Sequence, residues 1–231
     1  MSYMRPKYSR RNKLPEISDP NMTPGDLYYY YNCQQHRHYH QYYKGITVGK
    51  CLGDLWAYQE IIHDMNIGWV LETGTYRGGP ACFYADLIAV TNPKDGCVVS
   101  IDTMPEKISK LAHGWPRVNF IGGSSVAPQV VEYVKTLIPF DREDRQPIFV
   151  SLDSEHYYEH VLAELNTWVP LLKSGDYIVI EDAKYYNKDG PDRAISEFEK
   201  TDLYKKLKVD AKKEQSLCGF TSTQKGYYKV V

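Results

Sequence analysis

The sequence has no apolar run approaching the roughly 20 residues that cross a bilayer, and its basic start leads into Pro15 and polar residues rather than a signal-peptide core. The expectation is a soluble, cytoplasmic protein with no membrane partner. It has no C-x-x-C pair. Its five cysteines (Cys33, Cys51, Cys82, Cys97, Cys218) are scattered, several inside apolar runs, which suits reduced, packed thiols better than a disulfide frame. It has almost no net charge, formally -1, and the one marked basic run is Arg5, Lys7, Arg10, Arg11 and Lys13. A general attraction to phosphate backbones is therefore missing, and nucleic acid is not an expected partner. What is present is 231 residues, 42% hydrophobic and 25% charged, enough for one sizeable core.

Residues 1–45 lack apolar periodicity and carry the stretch YYYYNCQQHRHYHQYY from Tyr28 to Tyr43, so they read as an N-terminal Tyr/His-rich arm on a catalytic domain spanning 46–231. His36, His38 and His40 alternate as metal ligands on one strand face would. An aromatic arm packing on its own domain or on a neighbouring subunit explains them as well. Leu52, Leu55, Trp56, Ile61, Ile62 and Met65 then recur at helical spacing. Beyond them, β-branched runs alternate with helix-like segments, the pattern of βαβ units on a parallel sheet. Strands are expected at Trp69 to Glu72, Val98 to Asp102, Val118 to Ile121, Ile148 to Asp153 and Tyr177 to Asp182. Helices are expected near Gly79 to Val90, Ala127 to Leu137, Tyr157 to Leu172 and Asp192 to Glu199. Further strands near Leu207 to Ala211 and Tyr227 to Val231, with Leu217 to Thr221 as an extension, make a seven-stranded α/β sheet with one strand antiparallel and helices on both faces.

Acids collect at the strand ends: Glu72, Asp102, Asp153, Glu181 and Asp182. In an open parallel sheet, ligands bind beyond the carboxyl ends of the strands, so these acids face a ligand. The first strand-to-helix turn runs Glu72-Thr73-Gly74-Thr75-Tyr76-Arg77-Gly78-Gly79. Its glycines permit a tight turn and close backbone approach, and the helix start offers free N–H groups. Gly74, Thr75 and Gly78 are accordingly candidate cofactor contacts. G-x-G-x-x-G is absent, because Tyr76 takes the middle glycine position. Asp102 also lies further on than the acid of NAD sites, so a dinucleotide is disfavoured. A glycine turn opening on an acid, with an acid closing the next strand, suits S-adenosylmethionine, with Asp102 accepting from the ribose hydroxyls. Asp153, Glu181 and Asp182 would share one pocket, where hard oxygen ligands favour Mg2+ or a similar ion. Capping of the following helix is the plainer reading of Asp153. His156, three residues on, is a natural acceptor for a hydroxyl proton. A rival reading takes His156-Tyr157-Tyr158-Glu159-His160 as H-x-x-E-H, a zinc hydrolase pattern with Glu159 as base. A non-catalytic glycan-binding or assembly module is the other alternative.

The blocks LGDLWAYQEII, VLETGTYRGGPACFYADLI, GGSS, LDSEH, EHVLAEL and YIVIED, over roughly residues 45–200, together resemble the cephalosporin hydroxylase and rhamnosyl O-methyltransferase family. No H-x-D iron motif accompanies them. The resemblance implies a Rossmann-like class I methyltransferase fold and S-adenosylmethionine- and Mg2+-dependent O-methylation of a sugar hydroxyl or natural product. It implies that Asp153, Glu181 and Asp182 bind metal, with Asp153 also beside the cofactor, and that His156 is the base. It further implies that Glu72, Gly74 and Asp102 contact the cofactor, with Ser124 or Ser125 near its adenine end. The acceptor is expected to be a small molecule or glycan with vicinal hydroxyls, and the protein a homo-oligomer. The arm and the segment 183–190 depart from the family pattern and leave the acceptor undefined.

Overall fold

The computed structural model describes residues 22–34, 37–91, 96–183 and 189–231. Its centre is a sheet of β1 (Trp69–Thr73), β2 (Val98–Asp102), β3 (Val118–Gly122), β4 (Ile148–Leu152), β5 (Tyr177–Ile180), β6 (Leu207–Val209) and β7 (Tyr227–Val230). The spatial order is β3-β2-β1-β4-β5-β7-β6, and β7 alone runs opposite to the other six strands. The expected mostly parallel seven-stranded α/β sheet is what forms. Because chain order reverses between β1 and β4, the switch point of the sheet lies at their carboxyl ends.

Strand alternation divides the core. Leu71, Val99, Val150 and Ile178 face one way, against α4 (Pro128–Leu137), α5 (Tyr158–Trp168) and α6 (Pro191–Phe198), with Trp168 and Phe198 fully enclosed. Val70, Val98, Phe149 and Tyr177 face the other way, against α2 (Leu52–Asp64) and α3 (Gly79–Thr91), where Tyr58, Ile62, Tyr84 and Ile88 fill the layer. Each such side chain contributes about 1.5–3 kcal/mol by leaving water. No helix among the described residues is long and apolar enough to cross a membrane.

Three local expectations differ from the structure. Leu217 to Thr221 forms turns and no strand. The strand begun at Leu207 stops at Val209, because the Asp210 carboxylate caps the backbone N–H of Lys213 and starts α7 (Ala211–Ser216). The arm contains a helix of its own, α1 (Pro24–Tyr29), started by a reciprocal capping box between Thr23 and Asp26. Further along the arm, Tyr42–Tyr43 and Ile46–Thr47 make a small ribbon held to α3, where Asp86 accepts from Tyr43 Oη at 2.7 Å and Lys44 Nζ at 2.5 Å.

Candidate active site

A cavity of about 540 Å3 opens at the switch point, walled by Gly74, Thr75, Tyr76, Asp102, Ser124, Ser125, Asp153, His156, Glu181 and Asp182 among others. Gly74 is required there: it has φ +88, and a Cβ would lie 1.9 Å from the carbonyl oxygen of Asp153, so only glycine lets the β1 and β4 loops meet. Tyr76 has φ +47 and donates its N–H to Asp102 Oδ2 at 2.8 Å, while Met104 N donates to Oδ1 at 2.8 Å. Asp102 is thus fixed by two backbone donors at the rim, with further lone pairs to accept a ligand's hydroxyls. Tyr76 and Asp182 (φ +55) are both non-glycine residues in the left-handed region on this wall, where such strain is commonly held for function.

Glu72 and Gly78 stand elsewhere. Glu72 is fully buried behind the wall, accepting from Ser100 Oγ at 2.6 Å, and burial raises its carboxyl to about 7 despite the charge of Lys50. Ser100 also meets Thr75 Oγ1 at 2.6 Å, so Glu72 reaches the cavity only through Ser100 and Thr75. Gly78 is buried at φ +84, and a Cβ there would press on Ala112 and Phe120 at 3.1 Å. Neither residue is part of the cavity wall, and both support the loop from behind it.

The acidic end of the cavity contains a cation of its own. Lys50 Nζ lies 2.5 Å from Asp153 Oδ2 and 2.6 Å from Glu181 Oε1, and its side chain is 2% exposed. Burial opposes its charge, but Asp153 and Glu181 outweigh it and hold the ammonium well above its ordinary range. Burial likewise opposes ionisation of Asp153, yet Lys50 and His156 keep it below the usual carboxylate range. Glu181 also accepts from Ser151 Oγ at 2.5 Å, and both its contacts fall on Oε1. Burial and the neighbouring charge of Asp153 raise it to about 8. His156 Nε2 stands 3.1 Å from Asp153 Oδ1 and 3.2 Å from Asp182 Oδ2. Burial disfavours its charge, but these two acids raise it to about 9, while burial raises Asp182 to about 6. One ligand atom each from Asp153, His156 and Asp182 comes within 4.8 Å of the others, a set that a hard divalent ion fits.

These shifts predict a stability slope. Asp182, Glu181 and His156 hold protons above their unfolded values, so their stabilisation is full below the unfolded pKa values and is lost as pH rises through the folded ones. The lowered Asp153 acts oppositely, only in acid. The Tm of chelator-treated protein is expected to fall between pH 5 and about pH 9, and more gently in His156→Gln.

The arm lends part of the wall: Tyr29, His38 and Tyr39 line the cavity, with the Tyr39 and Tyr76 rings 5.6 Å apart. Tyr42 is exposed and Tyr43 is turned to Asp86, His40 is exposed, and His36 lies outside the described residues. The H-x-x-E-H pattern forms no zinc site, because α5 begins at Tyr158 and leaves His156 before the helix. His156 goes to Asp153 and Asp182, whereas His160 goes to Ser125 and Glu164.

A family model for rhamnosyl O-methyltransferase/CmcI matches residues 35–231. The chain belongs to this family. The rhamnosyl O-methyltransferase of Mycobacterium tuberculosis (strain ATCC 25618 / H37Rv) is 33% identical over 193 residues, covering 80% of this chain and 76% of the relative. That of Mycobacterium leprae (strain TN) is 32% identical over 191 residues, covering 79% and 80%. Among solved structures, CmcI with Mg and SAM superposes with a TM-score of 0.62 at 19% identity, over 83% of this chain and 76% of that one, which shows the shared fold. As a member of the rhamnosyl O-methyltransferase/CmcI family, the protein is an O-methyltransferase.

Sequence reasoning missed three buried charges that shape this site, Lys50, Asp54 and Glu164. Lys50 sits in the segment before α2 with no periodic signal; only the need of a carboxylate cluster for a counter-charge points to it. Asp54, buried on α2, accepts from Thr221 Oγ1, from Ser222 N at 3.0 Å and from Tyr227 Oη at 2.6 Å, and so fixes the loop that brings Ser222 to the cavity. Glu164 is a buried acid on α5 that reads in the sequence as one more polar helix residue.

Proposed function

We propose that the enzyme transfers the methyl group of S-adenosylmethionine to a hydroxyl of rhamnose or a related sugar carrying a second hydroxyl beside it. The observation that carries this reading is one cavity with Asp102 at the tip of β2 and Asp153, His156 and Asp182 grouped at the tips of β4 and β5. Asp102, Gly74, Thr75, Ser124 and Ser125 would hold the cofactor, and the acidic end the acceptor. Support comes from relatives named rhamnosyl O-methyltransferases and from a CmcI structure with Mg and SAM.

A divalent ion such as Mg2+ would be held by the carboxylates of Asp153 and Asp182 beside His156, with Glu181, tied through Oε1 to Lys50 and Ser151, adding charge through its other oxygen, and it would help orient the acceptor and ease loss of the hydroxyl proton. Lys50 keeps Asp153 ionised and aimed inward. S-adenosylmethionine would supply the methyl group from its sulfonium and become a neutral thioether, and His156, in its neutral form, would accept the hydroxyl proton of the acceptor. Positioning of the oxygen behind the methyl group supplies much of the rate. Under the same reading the enzyme is cytoplasmic and homo-oligomeric; light scattering tests the second.

Calorimetric titration of S-adenosylhomocysteine into metal-stripped protein, repeated with Mg2+ and with Asp102→Ala, tests the cofactor. Micromolar binding weakened in the variant is expected; no binding in wild type under either condition overturns the reading. His156→Ala should lower kcat by on the order of 10²-fold or more and abolish the rising limb of the pH–rate profile. A wild-type rate in that variant would leave His156 a structural role.

A further inference from the structure

The loops after β3 and β4 flank the β2–β1 pair in the sheet order, and both end on one carboxylate. Ser125 Oγ donates to Glu164 Oε1 at 2.5 Å and Ser154 Oγ donates to the same oxygen at 2.7 Å. Glu164 is 1% exposed, and both serines line the cavity. A carboxylate accepts and cannot donate, and a serine hydroxyl has one proton. With those protons committed to Glu164, Ser125 and Ser154 can offer a ligand only lone pairs. His160, one turn before Glu164, brings Nε2 to 3.2 Å from Ser125 Oγ, a contact it can make only as the donor. One lone pair then remains on Ser125 and two on Ser154.

This has a consequence for the purine of the cofactor under the reading above, on which the inference rests. With Asp102 at the ribose, the base extends past the tip of β2 toward the β3 loop that carries Ser124 and Ser125. We propose that Glu164 is a positioning residue that makes this wall an acceptor surface, so that the cavity takes a purine bearing an exocyclic amino group and rejects one bearing a carbonyl. An amino group donates to the serine lone pairs. A carbonyl oxygen in the same place faces them with no proton between, and a buried polar group left unpaired weakens binding by roughly 5- to 150-fold.

The test compares S-adenosylhomocysteine with S-inosylhomocysteine, its deaminated counterpart, by calorimetry on the full chain. Wild type is expected to prefer the adenosyl compound by about tenfold or more. In Glu164→Gln, whose amide can donate to the serines and release their protons, the preference should fall to a few-fold, chiefly through tighter binding of the inosyl compound. Should that variant not fold, Ser125→Ala and Ser154→Ala serve. Each should weaken the adenosyl compound and leave the inosyl compound nearly unchanged. Equal binding of the two compounds by wild type, or an unchanged preference in every folded variant, overturns this inference and leaves the methyltransferase reading intact. Failure of wild type to bind either compound overturns both.

Discussion

Asp153→Ala is expected to reduce methyl transfer by 10²–10³-fold or more, the scale of losing a preorganised charge at a reacting centre, while S-adenosylhomocysteine affinity changes only a few-fold. Three partners depend on this carboxylate: Lys50 at 2.5 Å, His156 at 3.1 Å, and the proposed divalent ion. Its removal leaves the ammonium leaning on Glu181 alone and frees the imidazole from one of the two acids that fix it. Steady-state kinetics with saturating Mg2+, beside calorimetry on the same preparation, separates the two effects. A variant that turns over normally would remove Asp153 from the chemistry. Asp153→Asn, which keeps the shape, should be nearly as inactive if charge is what matters.

The largest stability effect is expected at the opposite end of the sheet. Arg145 reaches Asp176 with two N–H···O bonds of 2.7 Å, and both side chains are 1% exposed. Asp176 also accepts from Ile148 N at 2.8 Å and Lys173 N at 2.9 Å, joining the start of β4 to the turn that leads into β5. Asp176→Ala strands a buried guanidinium and two backbone donors, so unfolding free energy should fall by about 3–5 kcal/mol. Replacing Arg145 and Asp176 together by apolar residues of similar volume should cost less, since the guanidinium is then no longer left unpaired, although the N–H groups of Ile148 and Lys173 still are. Urea titration of the three proteins decides it, and equal losses in the single and double variants would contradict the argument.

The sheet was legible because its strands are buried on both sides and therefore read as short β-branched runs with acids at their ends, as in IFVSLD and YIVIED. Periodicity could not reveal interactions made across long sequence separations. Lys50 and Glu181 are 131 residues apart, and Asp54 and Tyr227 are 173 apart. The placement of Glu72 was illegible for a related reason: a strand-end acid can turn beneath the loop as readily as above it, and the choice here is set by Ser100 on the adjacent strand. His156 and His160 misled through spacing alone, since a four-residue interval means one helical face only where a helix exists, and this one starts between them.

β7 comes last in sequence yet lies inside the sheet, with β5 on one side and β6 on the other. While the chain is being synthesised, the five-stranded parallel block can assemble, but the outer edge of β5 must remain open until residues 227–230 emerge. β6, although already made, has no other strand to pair with in the sheet. Asp54 waits just as long for Thr221, Ser222 and Tyr227, so this carboxylate keeps its water until those residues, 167 to 173 positions further on, have emerged. A ribosome stalled before residue 221 would therefore display the five-stranded block with an exposed strand edge and a cavity still lacking Ser222, a species prone to pair with its own kind.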